Sequence, residues 1–222
     1  MISIGFARMW LAVLLLLDRQ IVLFVIADLL FLFFALIAAL GGSGYAADFW
    51  YWLFLAPSLV LGVPMLAETV AVERRAGTLD LALSSPSAAW YFERRVGGAS
   101  AILVIQGWIA VLGTRLLVNE NFRLFDSLLR VPIVTLFLAA AALNWAVRFK
   151  TPSAVVFATY VSAVAFAPWF FANPIQAAGG LAASGAAAWL PSLKANLALA
   201  GAAAVFYLYA LQRLRNPELL IS

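Results

Sequence analysis

Hydrophobic positions in this chain come in long blocks rather than in alternation. From Ile21 to Leu40 the only charged residue is Asp28, and a helix of about 20 apolar residues is what a bilayer core about 30 Å thick requires. The Gly41-Gly42-Ser43-Gly44 cluster ends that block and turns the chain. A second block opens on Phe49-Trp50-Tyr51-Trp52, an aromatic group suited to the membrane–water boundary, and runs to about Ala67. Pro57 and Pro64 inside it predict kinks. Further spans are expected over about Val96–Val118, Val131–Phe149, Pro152–Phe171 and Leu193–Leu211. Met9–Leu17 is apolar too, but at about 14 Å it is too short to cross. Bounded by Arg8 and by Asp18-Arg19-Gln20, with no small-x-small cleavage site after it, it reads as an interfacial helix within residues 1–20 rather than a signal peptide. The stretch from Asn173 to Trp189 is mostly Ala and Gly. Its weak hydrophobicity predicts a re-entrant helical segment shielded by protein before the last span.

The expected fold is an all-α integral membrane protein with six transmembrane helices, forming a single transmembrane domain over residues 1–222. Composition agrees: 66% of residues are hydrophobic and 11% charged, with mean hydropathy +1.02, far from the balance of soluble domains. A net charge of +4 does not point to nucleic acid, because the basic residues come singly or in pairs at the ends of apolar blocks. Six spans place Arg8, Arg19, Arg74, Arg75, Arg94, Arg95, Arg148, Lys150, Arg213 and Arg215 on one side, and Arg115, Arg123, Arg130 and Lys194 on the other. The positive-inside rule then puts both termini in the cytosol; the expected location is multi-pass in an inner (cytoplasmic) membrane of prokaryotic type. The chain contains no cysteine and no histidine, so disulfides, thiolate nucleophiles, imidazole bases and axial histidine ligation are excluded. No catalytic, metal or cofactor-binding residues are expected.

One segment departs from the apolar pattern. Glu68 to Leu83 reads as a helix leaving the membrane with Glu73, Arg74, Arg75 and Asp80 on a charged face. Ser85-Pro86 then supplies an N-cap and a favoured first helical residue, which predicts a second short helix from Pro86 to Arg95 with its own direction. Residues 72–95 would thus form a stiff cytosolic helix pair between spans 2 and 3; an ordinary interfacial loop is the plainer alternative.

The run Glu73-Arg74-Arg75-Ala76-Gly77-Thr78-Leu79-Asp80, followed by Ser85-Pro86, resembles the cytosolic loop of type-2 ABC-transporter permeases. That loop carries an acidic residue, a charged pair, Gly-Thr-Leu-acidic, and a proline shortly after. The layout of the whole chain is similar as well, from Asp18-Arg19 ending an interfacial helix to the weakly apolar section before the last span. The resemblance implies an exporter subunit that works as a homodimer and couples to separate cytosolic ABC ATPase subunits. It assigns coupling to Glu73, Arg74, Arg75, Gly77, Thr78, Leu79, Asp80, Pro86, Trp90, Arg94 and Arg95. Two departures stand out: Arg75 where an acidic residue is common, and Arg94-Arg95-Val96-Gly97 in place of a Gly-Lys pair. No G-x-x-x-x-G-K-[ST] loop is present, so ATP would be bound by the partner subunit.

Asp28, about 10 Å into the first span, is a candidate for the transport path because a carboxylate at that depth is costly; a hydrogen-bonded helix contact is the competing reading. Gln106, Thr114, Asn144, Thr159 and Tyr160 are expected to bond between helices. Glu120, Arg123, Asp126 and Arg130 are expected in a solvated outer loop, and Pro168-Trp169-Phe170-Phe171 with Trp189 at the outer boundary. The function class competing with export is a non-transporting membrane scaffold or assembly factor that docks a cytosolic partner. An intramembrane enzyme using Asp28, Glu68 and Glu73 ranks below both, since Asp28 has no second acid near it in its span. Nothing in the sequence selects among lipid, glycan, peptide, drug and haem as cargo, though no histidine is present to ligate haem.

Overall fold

The computed structural model describes residues 47–76, 88–118, 124–170 and 190–215, together with Ala172 and seven scattered helical positions between Ile26 and Ile37. Every element among these is helical. They are α1 (Ala47–Ala56), a π-helical turn (Pro57–Gly62), α2 (Val63–Ala76), α3 (Ala88–Val118), α4 (Leu124–Ala146), α5 (Pro152–Ala165), the short α6 (Ala167–Phe170) and α7 (Leu190–Arg215). Tyr91–Leu116, Leu124–Ala146 and Ser192–Arg215 are long and apolar enough to cross a membrane, while Phe54–Glu68 and Pro152–Ala165 are shorter apolar helices. Of the expected first span only those seven helical positions are described, and the interfacial helix and the re-entrant segment lie outside the described residues.

The path from residue 47 to 76 is helical throughout, and its prolines explain its shape. Pro57 has no N–H for the carbonyl four residues back. The helix widens there into i→i+5 bonding, ending with the Val63 N–H donating to the Ser58 carbonyl. Pro64 in turn has no N–H for the carbonyl five residues back, Leu59, and the Tyr160 hydroxyl of α5 donates to that oxygen instead at 2.7 Å. Beside it the Ser58 and Thr135 hydroxyls are 2.9 Å apart, joining the π-turn to α4. Pro132 inside α4 leaves the Leu128 carbonyl without its helical donor, and the Trp108 indole N–H of α3 supplies one at 2.8 Å. Backbone groups freed at membrane depth are thus satisfied by neighbouring helices, as a medium without water demands.

α4 is the axis of the bundle and the most enclosed of the three long helices. Its Ala139-Ala140-Ala141-Ala142 run is buried, and small side chains there let the neighbouring helices come close. One core group joins Met65, Leu66, Phe92, Leu103, Leu143 and Leu214. A second, toward the other end, joins Tyr51, Leu55, Phe137, Leu138, Phe170 and Leu199. Two glycines make the α3 crossings possible. A Cβ on Gly62 would sit 2.6 Å from Leu103 Cδ1, and a Cβ on Gly107 would run into Val131 Cγ1.

Three expectations are corrected. Ala88–Arg95 is not a separate short helix: α3 runs unbroken from Ala88 to Val118, because nothing between Arg94 and Val104 stops a helix except the Gly97-Gly98 pair, which lies within it. The fourth span begins at Leu124, not Val131, so Asp126 and Arg130 are on a helix and buried rather than in a solvated loop. The fifth stops at Ala165 with Phe166 at φ −97°, ψ 18°, and restarts as α6 around Pro168.

Candidate functional site

Two ends of the bundle carry polar constellations. At the end where α3 begins and α7 finishes lie the described parts of the expected coupling segment. Glu73, Arg74 and Arg75 occupy the last turn of α2, and Trp90, Arg94 and Arg95 the first two turns of α3. Gly77, Thr78, Leu79, Asp80 and Pro86 lie outside the described residues, as does Asp28. What the structure adds is how the two arms are rooted. Phe92 is fully buried among Met65, Leu66 and Leu143 and meets Tyr91 edge to face at 5.3 Å. The Arg95 guanidinium stands 5.0 Å above the Tyr91 ring. Glu93 Oε1 accepts a 2.7 Å hydrogen bond from the Tyr207 hydroxyl of α7. The start of α3 is therefore fastened to α2, α4 and α7 before the chain enters the uncharged part of the helix.

At the opposite end Arg130 is buried to 2% exposure and ties four segments together. Nε donates to the Tyr51 hydroxyl oxygen at 3.1 Å and one terminal nitrogen to Asn196 Oδ1 at 2.7 Å. The other donates to the Trp169 carbonyl and, at 3.1 Å, to the Phe170 carbonyl. Tyr51 closes the ring by donating to the Phe170 carbonyl at 2.6 Å. The local cause is the break at Phe166. It leaves α6 as a four-residue helix; the last carbonyls of a helix have no partner within it, and a planar guanidinium can serve two of them at once while a cation suits the negative end of a helix. Sequence reasoning placed Arg130 outside because it counted the span from Val131. The available signal was the four-residue spacing of Asp126 and Arg130, which sets both on one helical face running straight into Val134 and Leu138.

The intramembrane polar residues are only partly the interhelical bonds expected. Tyr160 is one, to Leu59. Thr114 and Thr159 bond back to their own helix, at Ala110 and Val155, and Asn144 Oδ1 is buried without a hydrogen-bond partner among the described residues. Pro168 to Phe170 act differently from simple boundary anchors, since it is the carbonyls of Trp169 and Phe170 that are used, and Phe170 itself is buried. Among the described residues no group of three or more acidic side chains could hold a metal ion.

Fold and composition define an α-helical membrane protein. Comparison with models of known families, with curated proteins and with solved structures finds no match.

Proposed function

We propose that this chain is the membrane-spanning permease subunit of an ABC-type exporter, a homodimer driven by separate cytosolic ATPase subunits that push on the segment between α2 and α3. The observation that carries this reading is the Glu73–Asp80 motif, whose first four residues end α2 and which lies in sequence between α2 and α3. A push on residues 77–87 acts on α2 and α3 as levers, because Phe92 and the Glu93–Tyr207 bond hold the base of α3 in the bundle. Both termini and this segment are cytosolic in the proposal, and the Arg130 cluster belongs to the outer half.

The test is reconstitution with the ABC ATPase that co-purifies with the tagged chain, identified by its own phosphate-binding loop. Gly77→Val and Pro86→Gly should lower the ATP turnover stimulated by the permease while membrane abundance stays normal, through altered backbone freedom. Glu73→Lys and Asp80→Lys should weaken ATPase retention in a salt-dependent way. If all four variants keep normal abundance, retention and turnover, the segment does not couple to an ATPase and docking without energy transfer becomes the better reading.

A further inference from the structure

The last helix is tied to other helices at two separated points. Toward its end the Tyr207 hydroxyl donates to Glu93 Oε1 of α3 at 2.7 Å. Toward its start Asn196 Oδ1 accepts from a terminal nitrogen of Arg130 on α4, also at 2.7 Å. A carboxylate accepts one bond and a guanidinium donates the other, and such bonds are stronger than those between neutral groups. The two points lie about 16 Å apart along the axis, on a helix that runs unbroken from Leu190 to Arg215. Each tie leads further. Glu93 stands in the first two turns of α3, just after the segment assigned to coupling, and the guanidinium that meets Asn196 also holds Tyr51 of α1 and the Trp169 and Phe170 carbonyls of α6. Between the ties, small side chains make up much of the packing: Ala202 and Ala203 of α7 lie against the core beside Leu199 and Phe206, and Ala139 to Ala142 of α4 are buried. Small side chains bring helices close and leave only low ridges to hinder a slide of one past the other.

We infer that α7 is a connecting rod, with Tyr207 and Asn196 as the positioning residues through which a displacement of α3 reaches the Arg130 cluster. Packed helices shift by about 1–2 Å in conformational changes of this kind. A shift of about 1 Å along the axis, delivered at Tyr207, arrives at Asn196 almost undiminished because the helix between them is continuous. It takes the 2.7 Å bond to Arg130 beyond hydrogen-bonding distance, and Arg130 then has one hold fewer on the junction of α1, α4 and α6. The inference rests on the exporter reading for what moves α3. The linkage itself belongs to the chain alone, so its test uses no ATPase and its outcome is separate from that of the coupling variants.

The experiment places the full chain, which has no native cysteine, in lipid nanodiscs with Ser127→Cys as a single buried reporter beside Tyr51 and Arg130, and measures its rate of reaction with a small uncharged thiol reagent. Tyr207→Phe removes only the hydroxyl, and Glu93→Leu removes its acceptor. Each should raise the rate about threefold, the equivalent of one intramembrane polar contact, and the two together should do no more than either alone, since they break the same bond. Glu93→Gln keeps an acceptor for Tyr207 and should restore the wild-type rate. Thr135→Val breaks the contact with Ser58 only about 12 Å along α4 from the reporter and leaves both ties of α7 intact, so it should change nothing. Coupling between two sites is reciprocal, and Asn196→Leu should speed the reaction of Ser100→Cys, buried on α3, by a similar factor. A wild-type rate at position 127 in Tyr207→Phe overturns the inference, as does an equal rise in Thr135→Val, which would mean general loosening. An unchanged rate at position 100 in Asn196→Leu overturns it as well.

Discussion

Replacing Arg130 by methionine tests whether the Tyr51–Asn196 end of the bundle is held by a guanidinium fork. Methionine fills comparable volume but donates nothing. The Phe170 carbonyl keeps a donor, since Tyr51 still reaches it at 2.6 Å. The Trp169 carbonyl and Asn196 Oδ1 lose the bonds Arg130 gives them. Orphaning one buried and one partly buried acceptor costs up to about 1–3 kcal/mol each, and polar contacts measured within bilayers favour the low end of that range. Against this, methionine avoids desolvating a charge, a term of several kcal/mol that proteins recover only with good geometry. Here the geometry is good: each of the three guanidinium nitrogens has at least one acceptor. The expected net loss is about 2–3 kcal/mol, or about 4–12 °C in midpoint for a chain of this size, followed by circular dichroism in a fixed detergent. Arg130→Lys keeps the charge yet cannot reach Tyr51, Asn196 and two carbonyls from one ammonium, so it should be at least as damaging. A lysine variant with wild-type stability, or a methionine variant with an unchanged midpoint, would refute the reasoning.

The two kinds of glycine in α3 should behave oppositely. Gly107→Ala drives a Cβ into Val131, whose β-branched side chain has little freedom to yield, and should cost about 1–3 kcal/mol; Gly97→Ala should be neutral or stabilising by up to about 1 kcal/mol, and thermal unfolding of both variants decides. Trp108→Phe removes the donor to the Leu128 carbonyl and should cost about 0.5–1.5 kcal/mol, an effect that should vanish when Pro132 is also replaced by alanine. Because the chain has no native cysteine, Ala88→Cys and Lys194→Cys can be labelled singly in intact cells with an impermeant thiol reagent. Reaction is expected at position 194 alone, and reaction at position 88 without permeabilisation would invert the proposed topology.

The blocks of apolar sequence placed three of the spans to within a few residues at one end or both, because a helix that must cross lipid shows its length in composition alone. Helix ends were harder. Val96 was taken as the start of a span because Glu93-Arg94-Arg95 precede it, yet α3 begins at Ala88: charged residues at a membrane boundary do not interrupt hydrogen bonding along the backbone, and Phe92 packs into the core from the same turns that carry the charges. Arg130 was misplaced for the same reason in reverse. A cation next to an apolar block reads as a solvated flank, and only the broken helix ending at Phe170, whose carbonyls need a donor, makes burial favourable. That break lies 40 residues downstream of Arg130, so no local pattern around the arginine announces it. Kinks at Pro57 and Pro64 were readable in kind but not in form, since the π-turn depends on Ser58, Thr135 and Tyr160 meeting from three helices.

The π-turn deserves its own test because of where it sits. It divides the pass from residue 47 to 76 into one arm, α1, held at Tyr51 by Arg130, and a second arm, α2, whose last turn carries Glu73-Arg74-Arg75. Any displacement delivered to α2 is resisted at Tyr51 and must be absorbed between them, where helical bonding is already altered and the Leu59 carbonyl depends on a side chain from α5. If Tyr160 is the replacement for the N–H that Pro64 lacks, its value should depend on that proline. Tyr160→Phe should cost about 0.5–1.5 kcal/mol beside Pro64, the range of a bond at membrane depth. In a Pro64→Ala background, where a backbone N–H at position 64 can serve Leu59, the same substitution should cost little, and the double-mutant cycle should show a coupling of about that size. Equal losses in the two backgrounds would mean that Tyr160 contributes only by packing, and that the π-turn is held by its own backbone and by the Ser58–Thr135 contact.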